Sequence, residues 1–103
     1  MPERRREERV SLPLEAHYEA LSGKYAARLS DVSLGGCYVE SLAQVSVGET
    51  ISFEIQLPTG RWLPLQGEVV YHHPHLGFGV RFTDLSELER EMLAYIIEYG
   101  SAN

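Results

Sequence analysis

Thr50-Ile51-Ser52-Phe53-Glu54-Ile55-Gln56-Leu57 decides the fold. Ile51, Phe53, Ile55 and Leu57 fall on one side of an extended chain, and Ser52, Glu54 and Gln56 on the other. That period of two belongs to a half-buried strand. Pro58-Thr59-Gly60-Arg61 follows as a hairpin turn of the Pro-x-Gly type. Trp62 to His72 then returns as a long strand, which Gly67 is expected to bend through a bulge.

The same alternation recurs on both sides. Upstream, Ala16, Tyr18 and Ala20 share a face, Ser22-Gly23-Lys24 reads as a turn, and Tyr25 to Ser30 pairs back with Tyr25, Ala27 and Leu29 inward. A polar loop, Asp31 to Gly36, leads to a third strand, Cys37 to Ser41, and a further loop ends at Val47-Gly48-Glu49. Downstream, His72-His73-Pro74-His75 is a turn, and Gly77 to Phe82 is a sixth strand with Phe78, Val80 and Phe82 on its core face. The period then changes. Leu85, Leu88, Met92, Tyr95, Ile96 and Tyr99 recur at helical spacing, Asp84 or Ser86 can cap with Glu87 or Glu89, and Gly100 is the expected stop. The expectation is an all-β fold: a six-stranded antiparallel barrel with a C-terminal helix over 85–99 lying across one opening. Closure removes the edges that an open sheet would have to protect. Residues 1–11, without apolar periodicity, read as a flexible arm, and residues 12–103 as the barrel domain.

A chain of 103 residues, 44% hydrophobic, is the size of one domain with one core. No segment approaches the roughly 18 apolar residues of a membrane span. The charged N-terminus has no apolar run behind it, so no secretory signal is expected, and the lone Cys37, a small buried strand residue on this reading, suits a reducing cytoplasm. Four of the nine basic residues and three of the fifteen acidic ones fall within residues 1–9, leaving five against twelve in the body, a balance of −7. Such a body repels long nucleic acid, because phosphate neutralisation by Lys and Arg supplies most nonspecific affinity. DNA and RNA are therefore excluded as partners. A small dianion gripped by one local arginine cluster is not.

Two stretches carry chemistry. Ser30-Asp31-Val32-Ser33-Leu34-Gly35-Gly36 sets an acceptor, a hydroxyl and two glycines in one corner. Gly35 and Gly36 let backbone approach a ligand, while Asp31 and Ser33 either read the donor edge of a heterocycle or bond their own turn. Arg4-Arg5-Arg6-Glu7-Glu8-Arg9 is either a solvated tail or a binding arm. An arginine fork matches guanine O6 and N7, and a carboxylate complements the guanine N1–H and N2 donors. His72, His73 and His75 invite a metal, but no cysteine or carboxylate completes a set and Pro74 breaks their convergence; no metal is expected. No nucleophile elbow, phosphate loop or zinc-protease motif is present, so no enzyme is expected.

In this order, Arg5-x-x-x-Arg9 and Asp31-x-Ser33-x-x-Gly36 resemble the paired signature of PilZ domains, bacterial modules that bind the second messenger cyclic di-GMP. Gly77-Phe78-Gly79-Val80-Arg81-Phe82-Thr83-Asp84-Leu85-Ser86 is similar to the last strand and helix entry of that family. The resemblance implies a cytoplasmic receptor whose ligand is cyclic di-GMP, with no other cofactor. Its arm would close over the nucleotide and signal to a partner protein or output domain. It implies Arg5 and Arg9 as the motif arginines, with Asp31, Ser33 and Gly36 opposite them. Arg4 resembles an extra arginine of members that bind a stacked ligand dimer. Arg6, inside the spacing, and Gly35 join the set, as does Tyr71, which lies where some relatives place a tryptophan beside the ligand. The competing reading of Tyr71 is a barrel core side chain. Glu7 and Glu8 depart from the family pattern and lower the local positive potential. The alternative function is a ligand-independent interaction adaptor with the same fold.

Overall fold

A computed structural model describes residues 9–101. Six strands, β1 (Leu14–Ala20), β2 (Gly23–Val32), β3 (Gly36–Glu40), β4 (Thr50–Gln56), β5 (Trp62–His73) and β6 (Gly77–Phe82), precede one helix, α1 (Glu87–Ser101). The strands close a barrel in the order β1-β2-β3-β6-β5-β4, every neighbour antiparallel. Alternation does what the sequence implied: Ile51, Phe53 and Ile55 of β4 are buried, as are Ala16, Tyr18 and Ala20 of β1 and Phe78, Val80 and Phe82 of β6. Leu93 and Ile96 of α1 join the same core, so the helix covers the barrel end at which β2 and β6 finish. Each fully buried aliphatic or aromatic side chain stabilises the fold by about 1.5–3 kcal/mol relative to leaving it in water.

The helix starts from a reciprocal cap. The Glu89 N–H donates to Ser86 Oγ at 3.1 Å, and the Ser86 N–H donates to the Glu89 carboxylate at 3.0 Å. The expected stop at Gly100 is wrong, because α1 runs on to Ser101. Gly100 has a packing reason instead. A Cβ there would lie 3.0 Å from Val10 Cγ2 and 3.1 Å from Val10 Cβ, so the absent side chain lets Val10 lie against the helix.

Val10 also corrects the inner end of the expected arm. Its N–H donates to the Val32 carbonyl at 3.0 Å and its carbonyl accepts from the Val32 N–H at 3.1 Å. Its side chain is buried in the core. The end of β2 offers a free edge, and a β-branched residue suits the one-residue bridge made there.

Two irregularities interrupt otherwise regular ladders. The β2–β3 register steps from Leu29↔Val39 to Asp31↔Tyr38, leaving Ser30 unmatched. The β5–β6 register steps from Val69↔Val80 to Tyr71↔Gly79, leaving Val70 unmatched. The bulge expected at Gly67 is therefore three residues further on. Gly67 pairs regularly with Phe82, and its missing Cβ would run into the Val80 side chain and the Arg81 backbone, which explains the glycine by close strand approach.

Candidate functional site

Strict alternation after Leu29 would send Asp31 inward, and after Val69 it would send Tyr71 inward. Each bulge adds one residue and reverses the phase. Asp31 and Tyr71 therefore both face out while Val32, Cys37, Val69 and Val80 stay in the core. The registers set these outward residues in one row across four strands: Asp31 of β2, Tyr38 of β3, Gly79 of β6 and Tyr71 of β5. Asp31, expected in a loop, is a strand residue.

Gly79 makes the middle of the row bare, and a Cβ there would meet the Tyr71 ring. Tyr71 accordingly lies down over β6, with its ring 6.1 Å from Tyr38 at an interplanar angle of 29°. His73 extends this aromatic floor, 5.0 Å from Tyr71 and 6.0 Å from Tyr38, and its Nδ1 is 3.3 Å from the Tyr38 hydroxyl. Tyr71 is exposed, not the core side chain of the competing reading. Burial first, and then the neighbouring Tyr71, Glu40 and Asp31, hold the Tyr38 hydroxyl above its ordinary range, so it stays neutral. Tyr38 was not singled out from the sequence, and His73 was weighed there only as a metal ligand. The outward phase of Tyr38 was readable from Cys37-Tyr38-Val39, but nothing local linked it to Tyr71.

At the β2 end of the row, Arg9 Nη1 donates to Asp31 Oδ1 at 2.5 Å. The Val10–Val32 bridge, one residue along on both sides, holds the two together. The pair is partly exposed, so its net worth is about 0–1 kcal/mol. Of the motif arginines, Arg9 is thus beside the motif aspartate, while Arg4, Arg5 and Arg6 lie outside the described residues.

Ser33 is only 1% exposed. Its Oγ accepts from the Gly35 and Gly36 N–H groups, each at 3.2 Å, and donates to the Gly36 carbonyl at 3.3 Å. The Phe82 N–H donates to the Gly35 carbonyl at 2.8 Å, hanging the loop on β6. Of the two roles open to Ser33, it performs the turn-forming one here. Gly36 has no room for a Cβ because the Val80 carbonyl of β6 occupies that position, whereas Gly35 is exposed at the loop tip. Arg81, opposite Gly36 on the outer face, is paired with Glu68 at 2.5 Å. Behind the row, burial above all and then the charge of Asp31 push the Cys37 thiol well above its ordinary range, leaving it unreactive.

No group of three or more metal-binding side chains gathers among the described residues. The histidine turn explains why: His73 pairs with Gly77 on the outer face, His72 pairs with inward-facing Phe78, and His75 sits in the turn at φ 70°. A groove of about 740 Å³ lies on the β1–β4–β5 wall, lined partly by His17, Glu54, Pro64 and Gln66. It contains none of the residues of the arginine and Asp31–Gly36 motifs, and its carboxylates Glu19, Glu54, Asp84 and Glu89 outnumber its one lysine, Lys24, and oppose an anionic ligand. No helix among the described residues is long and apolar enough to cross a membrane.

Among solved structures, the chain is similar to the PilZ domain with c-di-GMP of YcgR from Escherichia coli, with a TM-score of 0.78 at 18% identity, covering 96% of this chain and 92% of that one. It is similar to YcgR from Escherichia coli in complex with c-di-GMP, with a TM-score of 0.80 at 22% identity, covering 96% of this chain and 46% of that one. It is also similar to the Borreliella burgdorferi PlzA protein in complex with c-di-GMP, with a TM-score of 0.67 at 16% identity, covering 86% of this chain and 39% of that one. The chain thus spans less than half the length of the last two proteins. At these identities the likeness is one of fold. No curated protein matches the sequence. The sequence does match the PilZ domain over residues 3–99, from the arginine run through nearly all of α1, and the chain belongs to that family.

Proposed function

We propose that this PilZ domain is a cyclic di-GMP receptor whose ligand lies on the Asp31–Tyr38–Gly79–Tyr71 row, under the arginines of the N-terminal segment. The observation that carries the reading is the Arg9–Asp31 pair at the edge of an exposed aromatic floor. Asp31 supplies the acceptor for the guanine N1–H and N2 donors. Arg9, with Arg5 and Arg4 upstream, supplies forked donors for O6, N7 and the phosphates. Tyr71, Tyr38 and His73 offer ring faces to a purine, over a strand kept flat by Gly79. Ser33 acts through the loop it holds, and Gly35 presents bare backbone at the tip.

Without ligand, Arg9 and Asp31 neutralise one another, and both must turn to the nucleotide. The partly exposed pair resists this by only about 0–1 kcal/mol. Residues upstream of Val10 then close over the ligand, and the altered surface is read by a partner protein or output domain.

Competition calorimetry tests the reading. Cyclic di-GMP is expected to bind well ahead of cyclic di-AMP, because adenine presents an amino donor where guanine presents O6 and the arginine fork would face the wrong group. Asp31→Ala should remove that preference. Equal affinity for the two dinucleotides, or binding unchanged in Asp31→Ala, overturns it.

A further inference from the structure

The row from Asp31 to Tyr71 carries its fixed positive charge at one end, where Arg9 stands beside Asp31. The arginines that flank the row are engaged by carboxylates. Arg81, two residues beyond Gly79 on β6, is held by Glu68, and Arg28, across from Glu40 in register, lies 4.0 Å from Glu15. A second outer row runs beside the first, through Arg28 of β2, Glu40 of β3, Gly77 of β6 and His73 of β5. Among the described residues of the two rows, His73 is the one base that no carboxylate holds. Three strand spacings, about 14 Å, separate it from the β2 side. The Tyr38 hydroxyl, 3.3 Å from His73 Nδ1, suits either charge state of the ring. It donates to Nδ1 of the neutral imidazole and accepts from Nδ1–H of the protonated one. A proton gained by His73 therefore adds charge at the β5 end without rearranging the aromatic floor.

We propose that His73 ties cyclic di-GMP affinity to pH: its imidazolium, formed as pH falls, attracts the phosphates of the ligand at the β5 end, and binding tightens. The inference deepens the receptor reading and rests on it. Histidine changes charge between about pH 5 and 8, whereas a phosphodiester has no proton to lose there. Few groups face the ring. Tyr38 and Glu40 face it from β3 and Tyr71 from β5, while Gly77 and Gly79 present no side chain from β6. Arg28 and Asp31 stand further off on β2. Glu40 favours the charged ring with or without nucleotide, so it moves the pH of the change and not its sign. Covering the ring removes water and opposes the charge, but His73 is exposed at the edge of the floor, and the attraction prevails. By linkage, bound nucleotide raises the proton affinity of His73. The added affinity is complete at pH values where the free ring is already charged, and is lost as pH rises through the titration of the ring in the complex.

The test is calorimetry of the full chain with cyclic di-GMP from about pH 8 down to about pH 6, on the wild type, His73→Gln and His72→Gln. Wild-type affinity should rise about fivefold, the scale of one partly exposed charge pair. The affinity of His73→Gln should no longer follow pH. His72→Gln, altered one residue away and opposite inward-facing Phe78, should keep the response. A thermal melt at each pH checks that every sample is folded. In proton NMR the His73 ring should titrate at a higher pH in the saturated protein than in the free one. A flat wild-type profile, an equal pH response in His73→Gln, or a His73 titration that the nucleotide leaves in place overturns the proposal and leaves the receptor reading standing. Absence of binding at every pH removes both.

Discussion

Strand β5 has two partners and follows a different rule with each. Against β4 its register runs from Gln56↔Trp62 to Thr50↔Glu68 without a break, with Leu63 and Leu65 inward and Pro64 and Gln66 outward. Against β6 it gains an unmatched residue at Val70, and from there Tyr71 and His73 face water. The unbroken half holds the barrel together, because every inward side chain is a core side chain. The interrupted half gives up one ladder position, and that reversal turns an aromatic side chain from the core to the surface. The β2–β3 pair repeats the device at Ser30, and the residue it turns out is Asp31. Both reversals serve one outer row.

The contrast can be broken first on its regular side. Ile55 is fully buried in the uninterrupted wall, so Ile55→Ala should destabilise the protein by about 2–5 kcal/mol. Urea denaturation measures this, with cyclic di-GMP affinity unchanged in the folded fraction. A cost below about 1 kcal/mol would mean that the site can relax and the regular wall is not what holds the barrel.

On the interrupted side the ranking should invert. Arg9→Ala should weaken cyclic di-GMP binding by roughly 1–3 kcal/mol, while the melting temperature of the free protein barely moves, since the Arg9–Asp31 pair is partly exposed. Calorimetry and a thermal melt on one preparation separate the two effects. A large loss of stability with unchanged binding would make Arg9 a structural residue. The finest test is Gly79→Ala. Its Cβ would meet the far end of the Tyr71 side chain, so the ring must lift from β6. The expected cost is about 0.5–1.5 kcal/mol of affinity, the scale of one aromatic contact, with the Tyr71 ring resonances shifted. Unchanged affinity would remove Tyr71 from the site.

The strands and the helix were legible because amphipathic alternation and helical spacing are written in side chains. The bulges were not, because an inserted residue carries no mark. Val70 is as good a strand former as Val69, and Ser30 reads like any outward polar residue. That is why Asp31 fell in a loop on the sequence reading and Tyr71 had a core alternative. Gly67 and Gly100 were misread for a related reason. Their roles depend on Val80 and Val10, which are distant in the chain, while the sequence offered only the local meanings of bend and stop. The motif loop was visible, but its internal division of labour was not: nothing local says that the Ser33 hydroxyl is consumed by Gly35 and Gly36.

The contact between Val10 and Gly100 has a topological consequence. The polypeptide enters the barrel and leaves it at neighbouring points, since a Cβ added to Gly100 would lie 3.0 Å from the Val10 side chain. A fold whose entry and exit adjoin can be spliced into a surface loop of another protein without prising that loop open. It can equally be circularly permuted by a short linker. The unit is a bead threaded through a single hole, and the point of entry, Val10, is one residue from Arg9.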